Sequence, residues 1–493
     1  MTETFDDLIA CEDVLLFVNA AVAATGQREF YDGAEEQSMS LDFLHDYMHV
    51  NYRELYTSCL ALGVNDHNAA LIIRRLLRTP TDCPSPSRPL EGRLIAGRLA
   101  EMAPQRAYRL FEGLARDRVN NRRTRAIIRE WIAARPDPFL DVVKYRNGAR
   151  VAARHAHLDF ADERVPHARE RGRFLFPGKQ HKPYRSELLN SWLAAHYSKS
   201  AVYDLPFSIA EGFAARHGIP RAAFLERMRS RMTRLERLRL NDSAGKVGVD
   251  TRGLRNASLT RVASYVLGMP VEERIERRAE LTDALNAAAH RATRGTPFSD
   301  VRRVVAVLDD SYSSFGSPDK RNRPLAVTLA THLLLAASAP EYTGLWLSGR
   351  TDALLSVPSG ATSLGTRIVD ALELRPDLLV IVSDGWDNAP AGLAQAVLHT
   401  WRRRLDPDRA TTVVHLNPVY NASEYTVRRL ATGVPTVGIR DAEDAPTLIE
   451  LARFADGRVG LPELRAHLAR RTADYLSTVS APRATGRTPG DPT

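Results

Sequence analysis

Five residues with hard oxygen donors fall into three short segments. Asp309, Ser311 and Ser313 form a DxSxS pattern directly after the apolar run Val304–Leu308. Thr362 stands in the Gly360-Ala361-Thr362 loop, and Asp384 follows the run Leu378–Val382 within Ser383-Asp384-Gly385. Two carboxylates and three hydroxyls, without thiolate or imidazole, make a set suited to Mg²⁺ or Mn²⁺. One carboxylate bonded directly to the ion, with waters and hydroxyls completing an octahedron, leaves a position for an acidic ligand. A lone DxSxS is equally an ordinary serine-rich turn. It is the three segments in this order that make a candidate metal site. Asp387 reads either as a supporting group or as an exposed loop acid.

A second constellation is cationic. Arg118, Arg122, Arg125 and Arg129 recur at i, i+4, i+7 and i+11, one stripe of a helix whose other side carries Ile127, Ile128, Trp131 and Ile132. Lys144, Tyr145, Arg146, Arg150, Arg154, His155 and His157 follow closely. Arginines beside Tyr and His suit phosphate contacts and base stacking. Segment 116–185 holds 18 Lys/Arg against 8 Asp/Glu, a net of +10, whereas the whole chain is +9. From 301 to 480 the count is 20 against 20. Such a concentrated patch attracts polyanions through counterion release. From charge alone, an arginine-rich solvated helix face remains the alternative.

Two kinds of element must position these groups. From Leu41 to about Ala292 the pattern is helix after helix with short Gly/Pro breaks; Ala69, Ala70, Ile72, Ile73, Leu76 and Leu77 share one face of Asp66–Leu77. Many helices of this length without convincing strands suggest a HEAT-like repeat array. Near Val301 the pattern changes. Val304–Leu308, Tyr342–Leu347, Leu378–Val382, Thr411–Leu416 and Val434–Ile439 read as strands, separated by helices over Arg323–Ser338, Gly365–Leu374, Ala391–Arg404, Thr447–Phe454 and Pro462–Arg471. That alternation predicts a doubly wound α/β domain, with ligands beyond the C-terminal strand ends. The expected divisions are an N-terminal extension, partly helical, over 1–40; a helical domain over 41–295; an α/β domain over 296–476; and a disordered tail over 477–493.

Composition removes several classes. The 493 residues are 44% hydrophobic and 26% charged, ordinary for globular chains. Cys11, Cys59 and Cys83 lie too far apart for a disulfide framework or a cysteine zinc site, which fits a reducing cytoplasm. Asp6, Asp7, Glu12 and Asp13 sit where a signal peptide needs positive charge. The stretch Leu325–Pro340 is too short to span a bilayer. No membrane association is expected, and a monomer is. Without a nucleophile elbow, Walker loop or HExxH motif, the expectation is a protein that is not an enzyme.

The DxSxS, Thr362 and Asp384 set resembles the metal-ion-dependent adhesion site of the von Willebrand factor A domain. The run NNRRTRAIIREWI followed by VVKYRNGARVAARHAHL is similar to Ro-type RNA-binding proteins, which join a helical TROVE domain to a C-terminal von Willebrand A domain. The resemblance spans roughly Leu41–Arg471. It implies binding of structured or misfolded non-coding RNA, with contacts from Lys144, Arg146 and His157 (or His155 in its place). It also implies a divalent metal ion at Asp309, Ser311, Ser313, Thr362 and Asp384, open to an acidic protein partner. The competing reading is a von Willebrand A adaptor serving a MoxR-type AAA+ ATPase.

Overall fold

The computed structural model describes residues 5–28, 33–162, 165–178, 183–233, 236, 257–293, 301–446, 448–449 and 461–480. The expected tail from Ala481 and most of the expected helix Thr447–Phe454 lie outside the described residues. A helix-rich region is followed by a small parallel sheet with flanking helices.

Helix α1 (Phe5–Ala23) is apolar on all sides around Phe17, Val18 and Ala20–Ala23, so it must be covered on all sides. It packs on α2 (Ala34–Asn51) and α4 (Asp66–Arg78), which with α3 (Arg53–Ser58), α5 (Arg88–Glu101), α6 (Pro104–Arg116) and α7 (Arg122–Ala133) build the first core. The last carbonyls of α1 lack partners within the helix. Asn65 and Asn68 supply them: the two side-chain amides donate to Ala21 and Ala24, and Asn65 also to Val22. The carbonyl oxygen of Asn65 at the same time caps α4 through the amides of His67 and Asn68. Asn68 is fixed by His45, whose other ring nitrogen meets the Tyr56 hydroxyl at 2.7 Å.

Further along, Tyr108 and Phe111 of α6 meet Trp131 of α7 edge-on at 5.1 and 5.2 Å, and the Trp131 indole donates to Leu99 at 2.8 Å. Helices α8 (Pro138–Lys144) and α9 (Arg146–His155) follow, and α9 lies on α6 at Gly148, where a Cβ would come within 2.8 Å of Tyr108 Cβ. Helices α10 (Ala168–Leu175), α11 (Glu187–Ala194), α12 (Phe207–Arg216) and α13 (Arg221–Met228) complete this region.

The sheet holds β1 (Arg303–Leu308), β2 (Glu341–Trp346), β3 (Leu378–Val382), β4 (Thr412–Asn417) and β5 (Thr436–Gly438), all parallel, in the order β2-β1-β3-β4-β5. Alternate residues serve opposite faces. Val304, Ala306 and Leu308 face one core; Val305 and Val307 face the other. Helices α18 (Leu364–Glu373) and α19 (Leu393–Arg404) cover the second face. The first is covered by α17 (Arg323–Ser338), against which pack α14 (Leu259–Gly268) and α16 (Arg278–Ala292), on either side in sequence of the short α15 (Val271–Glu276).

The cores therefore do not divide at residue 295, as the pattern of elements suggested. Leu259, Val262, Val266, Leu281 and Leu285 need an apolar partner, and α17 provides it, which joins them to the core on the first face of the sheet. Nor does the α/β unit extend to 476. Helix α20 (Leu461–Ser480) buries Leu461, Leu464 and Leu468 in the first core, beside α1, α3 and α5. It continues past 477, where a tail was expected. Residues 1–40 likewise are no mere extension, because α1 is central to the first core.

At the open edge of β5, Asn19 of α1 stands in for another strand. Its amide donates to the Thr436 carbonyl, and its carbonyl oxygen accepts from the Gly438 amide at 3.1 Å. Gly438 is required there, since a Cβ would lie 2.5 Å from the backbone carbonyl oxygen of Asn19. An edge is thereby closed that would otherwise offer unpaired backbone groups.

Burial holds the His45 imidazole neutral, with a pKa pushed down to about 3 from 6.5. The unfolded chain takes up this proton near pH 6.5 and the folded chain does not, so the stability tied to neutral His45 is complete above 6.5 and is lost as the pH falls toward 3. Urea unfolding of wild type and His45→Gln at pH 7 and pH 5 should show their stability difference shrinking by up to about 1.4 kcal/mol per pH unit. A difference that does not change with pH would contradict buried, neutral His45.

Candidate metal centre and nucleic-acid interface

In this strand order the chain leaves β1 toward β2 and returns across it to β3, so the loops after β1 and β3 flank a crevice at the switch point. Registry sets Leu308 beside Val382, and the Asp309 amide donates to the Val382 carbonyl at 3.0 Å. Asp309 and Asp384 thus emerge side by side, only 3% and 7% exposed. Asp309 Oδ1 accepts from the Ser311 amide, and Asp384 Oδ1 from the Trp386 amide. The third segment is tied in through backbone: the Tyr312 amide donates to Gly360, and the Ser359 amide to the Asp310 carbonyl. Thr362 Oγ1 consequently lies 3.1 Å from Ser311 Oγ, itself 3.4 Å from Ser313 Oγ. The structure brings all five residues together.

Burial, and then the neighbouring Asp384 charge, push the Asp309 carboxyl up to about 8. Two nearly buried carboxyl groups next to three converging hydroxyls make an arrangement that a divalent cation would neutralise. Among the described residues there is no cluster of three or more His, Cys, Asp or Glu side chains. A cation held here would depend on the hydroxyls, and the donor set fits a hard ion of Mg²⁺ type.

Asp310, adjacent in sequence, is turned away and accepts from the Ser348 amide and hydroxyl at 3.0 and 2.5 Å. Asp387 lies upstream of α19 and reaches its first turn, its Oδ2 accepting from the Ala394 amide. Two supports were not recognised from sequence. His415, held neutral by burial with a pKa near 4, meets Ser383 at 3.1 Å, and the Asn417 amide donates to the Asp384 carbonyl at 2.9 Å. Their signal was available: both are polar, two residues apart, and lie on one face of an otherwise apolar strand.

The cationic residues are distributed differently from the single stripe expected. Helix α7 begins only at Arg122. Arg118 sits in the preceding turn with a left-handed φ of 59°, outside the helix. Arg122 is exposed at the first position of α7, and Arg125 reaches Asn120. Arg129 bends over the end of α9 and donates to the carbonyls of Ala156 and His157 at 2.8 and 2.9 Å. His157, exposed and also at positive φ, is met by the Asn120 amide, whereas His155 is bound to the Val119 carbonyl. Arg118, Arg122, Arg125, Arg129 and His157 therefore gather where the α6–α7 turn meets the end of α9.

Lys144 and Arg146 lie at the other end of α9, about 15 Å away for a ten-residue helix. Lys144 is exposed, 5.6 Å from the Tyr145 ring. Arg146 is half-buried, its guanidinium 5.4 Å from the Phe174 ring and 5.2 Å from Trp192, and burial lowers its pKa. Lys144 and Arg146 therefore do not share one surface with the arginines of the α6–α7 turn. Arg146 cross-links α9, α10 and α11. Arg146→Gln should lower stability to urea by about 1–2 kcal/mol, while Lys144→Gln should leave it within about 0.5 kcal/mol. Equal effects would remove the cross-linking role.

No protein-family profile matches the chain, and no curated protein does. Among solved structures, the crystal structure of the Deinococcus radiodurans Ro (Rsr) protein is similar, with a TM-score of 0.53 at 16% sequence identity, covering 91% of this chain and 100% of that one. No helix among the described residues is long and apolar enough to cross a membrane. At that identity the likeness is one of fold: the chain shares, over nearly its whole length, the architecture of that Ro protein.

Proposed function

We propose that the chain is an RNA-binding protein of the Ro type, with a HEAT-like helical region of TROVE character and a von Willebrand A domain. The observation that carries this reading is the gathering of Arg118, Arg122, Arg125, Arg129 and His157 on one helical surface, within the segment of net charge +10. The full-length likeness to a protein named Ro supports it. Exposed arginines there would neutralise phosphates, and His157 would hydrogen-bond to or stack on an unpaired base. Arg129 is a positioning residue, because its donors are engaged in holding the turn that bears His157. The function is binding, not catalysis.

Mg²⁺ is the fitting occupant of the crevice. Ser311, Ser313 and Thr362 would hold it with Asp309 and Asp384, and the bound ion would supply a Lewis-acidic position for a carboxylate from a partner protein. With Mg²⁺ at a hundred times its Kd, the chain should gain about 2.7 kcal/mol of stability. Asp309→Asn should abolish that gain while raising metal-free stability, since it removes one of two facing buried carboxylates. Thermal unfolding with and without Mg²⁺ measures both, and an undiminished gain in the variant would remove Asp309 from the site.

Arg118→Gln with Arg122→Gln should weaken binding of a structured RNA at least tenfold, about 1.4 kcal/mol. Asp384→Ala should not. The adaptor reading forecasts the reverse, with partner binding lost on the metal-site change and RNA indifferent to the arginines. Anisotropy titrations of both variants decide between them.

A further inference from the structure

A cleft of about 800 Å³ opens where the start of α8, the turn before α10 and the segment at Arg185–Ser186 meet. It begins three residues beyond His157 but is walled by different side chains. One wall is aromatic. Phe139, in the first turn of α8, lies 4.8 Å from the His167 ring, tilted by 36°. His167 is exposed at a left-handed φ of 54° immediately before α10. Phe160 lies directly on the backbone of α10 at Gly172, where a Cβ would fall 2.6 Å from its Cγ, so only glycine admits the ring. Phe139 in turn is set by Asp137, which caps α8 through the Leu140 amide.

The opposite side is cationic. Arg169, Arg173 and Arg185 line the cleft. Arg173 rests over the Tyr184 ring at 5.1 Å. Arg169 and Arg185 are exposed and make no ion pair among the described residues. Of the two acids that line the cleft, Glu170 is engaged: its Oε1 accepts from the amides of Arg185 and Ser186 at 2.5 and 2.9 Å, which holds that segment against α10. The other, Asp162, leaves the lining with more positive charge than negative.

We propose that this cleft binds one nucleotide, its base against the wall of Phe139, Phe160 and His167 and its phosphate between Arg169 and Arg185. A planar π-face and a neighbouring phosphate are what aromatic rings and guanidinium groups recognise together. The volume falls in the range of ligand clefts, about 300–1,000 Å³. The inference rests on the RNA-binding reading in taking the nucleotide to be an unstacked unit of a single strand. A free nucleotide has the same chemistry. The cleft is distinct from the surface of Arg118, Arg122 and His157, so single-stranded and duplex RNA should depend on different residues.

The test uses the full chain and three probes: labelled single-stranded hexaadenylate, a blunt RNA hairpin without a tail, and AMP as competitor. Arg169→Gln with Arg185→Gln, both exposed, should weaken hexaadenylate binding at least tenfold and hairpin binding less than twofold. Phe139→Leu, which keeps the apolar packing, should weaken hexaadenylate about threefold. AMP should displace hexaadenylate at concentrations where inorganic phosphate and phosphotyrosine do not. The proposal is overturned if hexaadenylate affinity is unchanged in both variants, or if phosphate or phosphotyrosine competes as well as AMP. Hairpin binding without hexaadenylate binding overturns the cleft and leaves the RNA-binding reading intact. AMP binding lost in the arginine variant, with neither RNA bound, supports a nucleotide cleft for the free ligand and removes the RNA-binding reading.

Discussion

A helical segment that is apolar all round cannot lie on a surface, and residues 14–23 of α1, Asn19 apart, form such a segment. It is covered by α2 and α4, by α20, and by the edge of the sheet. Its polar atoms are satisfied at both ends of this arrangement: Asn65 and Asn68 take the carbonyls at its end, and Asn19 pairs with the backbone of β5. Each of these hydrogen bonds contributes about 1 kcal/mol net, but leaving the buried groups unpaired would cost more. The helical core and the sheet are therefore not two bodies in light contact. They share an element that neither could leave exposed.

Two sites with opposite electrostatic demands stand on this frame. The crevice after β1 and β3 brings two carboxyl groups together in a buried place, next to hydroxyls and supported by His415 and Asn417. The surface around the α6–α7 turn collects cations in water, where holding them costs little. On the proposed reading the first would take a cation before an acid and the second a polyanion, and the two would not compete, because they stand on different elements.

What could be read from the sequence was what neighbours in the chain decide. The five strands were legible because buried parallel strands are short β-branched runs, and the donors of the first and third segments were legible because they follow two of those runs directly. Other features depend on partners far along the chain. Helices α14 and α16 carry ordinary amphipathic patterns, and nothing local says whether their apolar faces meet other helices or a sheet. The arginine stripe assumed that the helix reached Arg118, but the left-handed turn there ends the periodicity one turn early. Arg146 looked like a surface cation because its two aromatic partners lie 28 and 46 residues downstream. Helix α20 was taken as the end of the α/β unit because it follows it, whereas Leu464 and Leu468 complete a core begun by the first helices.

The return of α20 to the first core has a mechanical meaning. Topologically the α/β unit is an insertion: the chain enters it after α13 and leaves it before α20, and both flanking helices belong to the other layer. A body joined to its neighbour by one tether can swing and twist freely once surface contacts loosen. A body held at two points retains, to first order, only rotation about the line through them. Any movement that opened the crevice after β1 and β3 would therefore be steered along one arc, and a single break in either connection would leave the pieces still joined through the other.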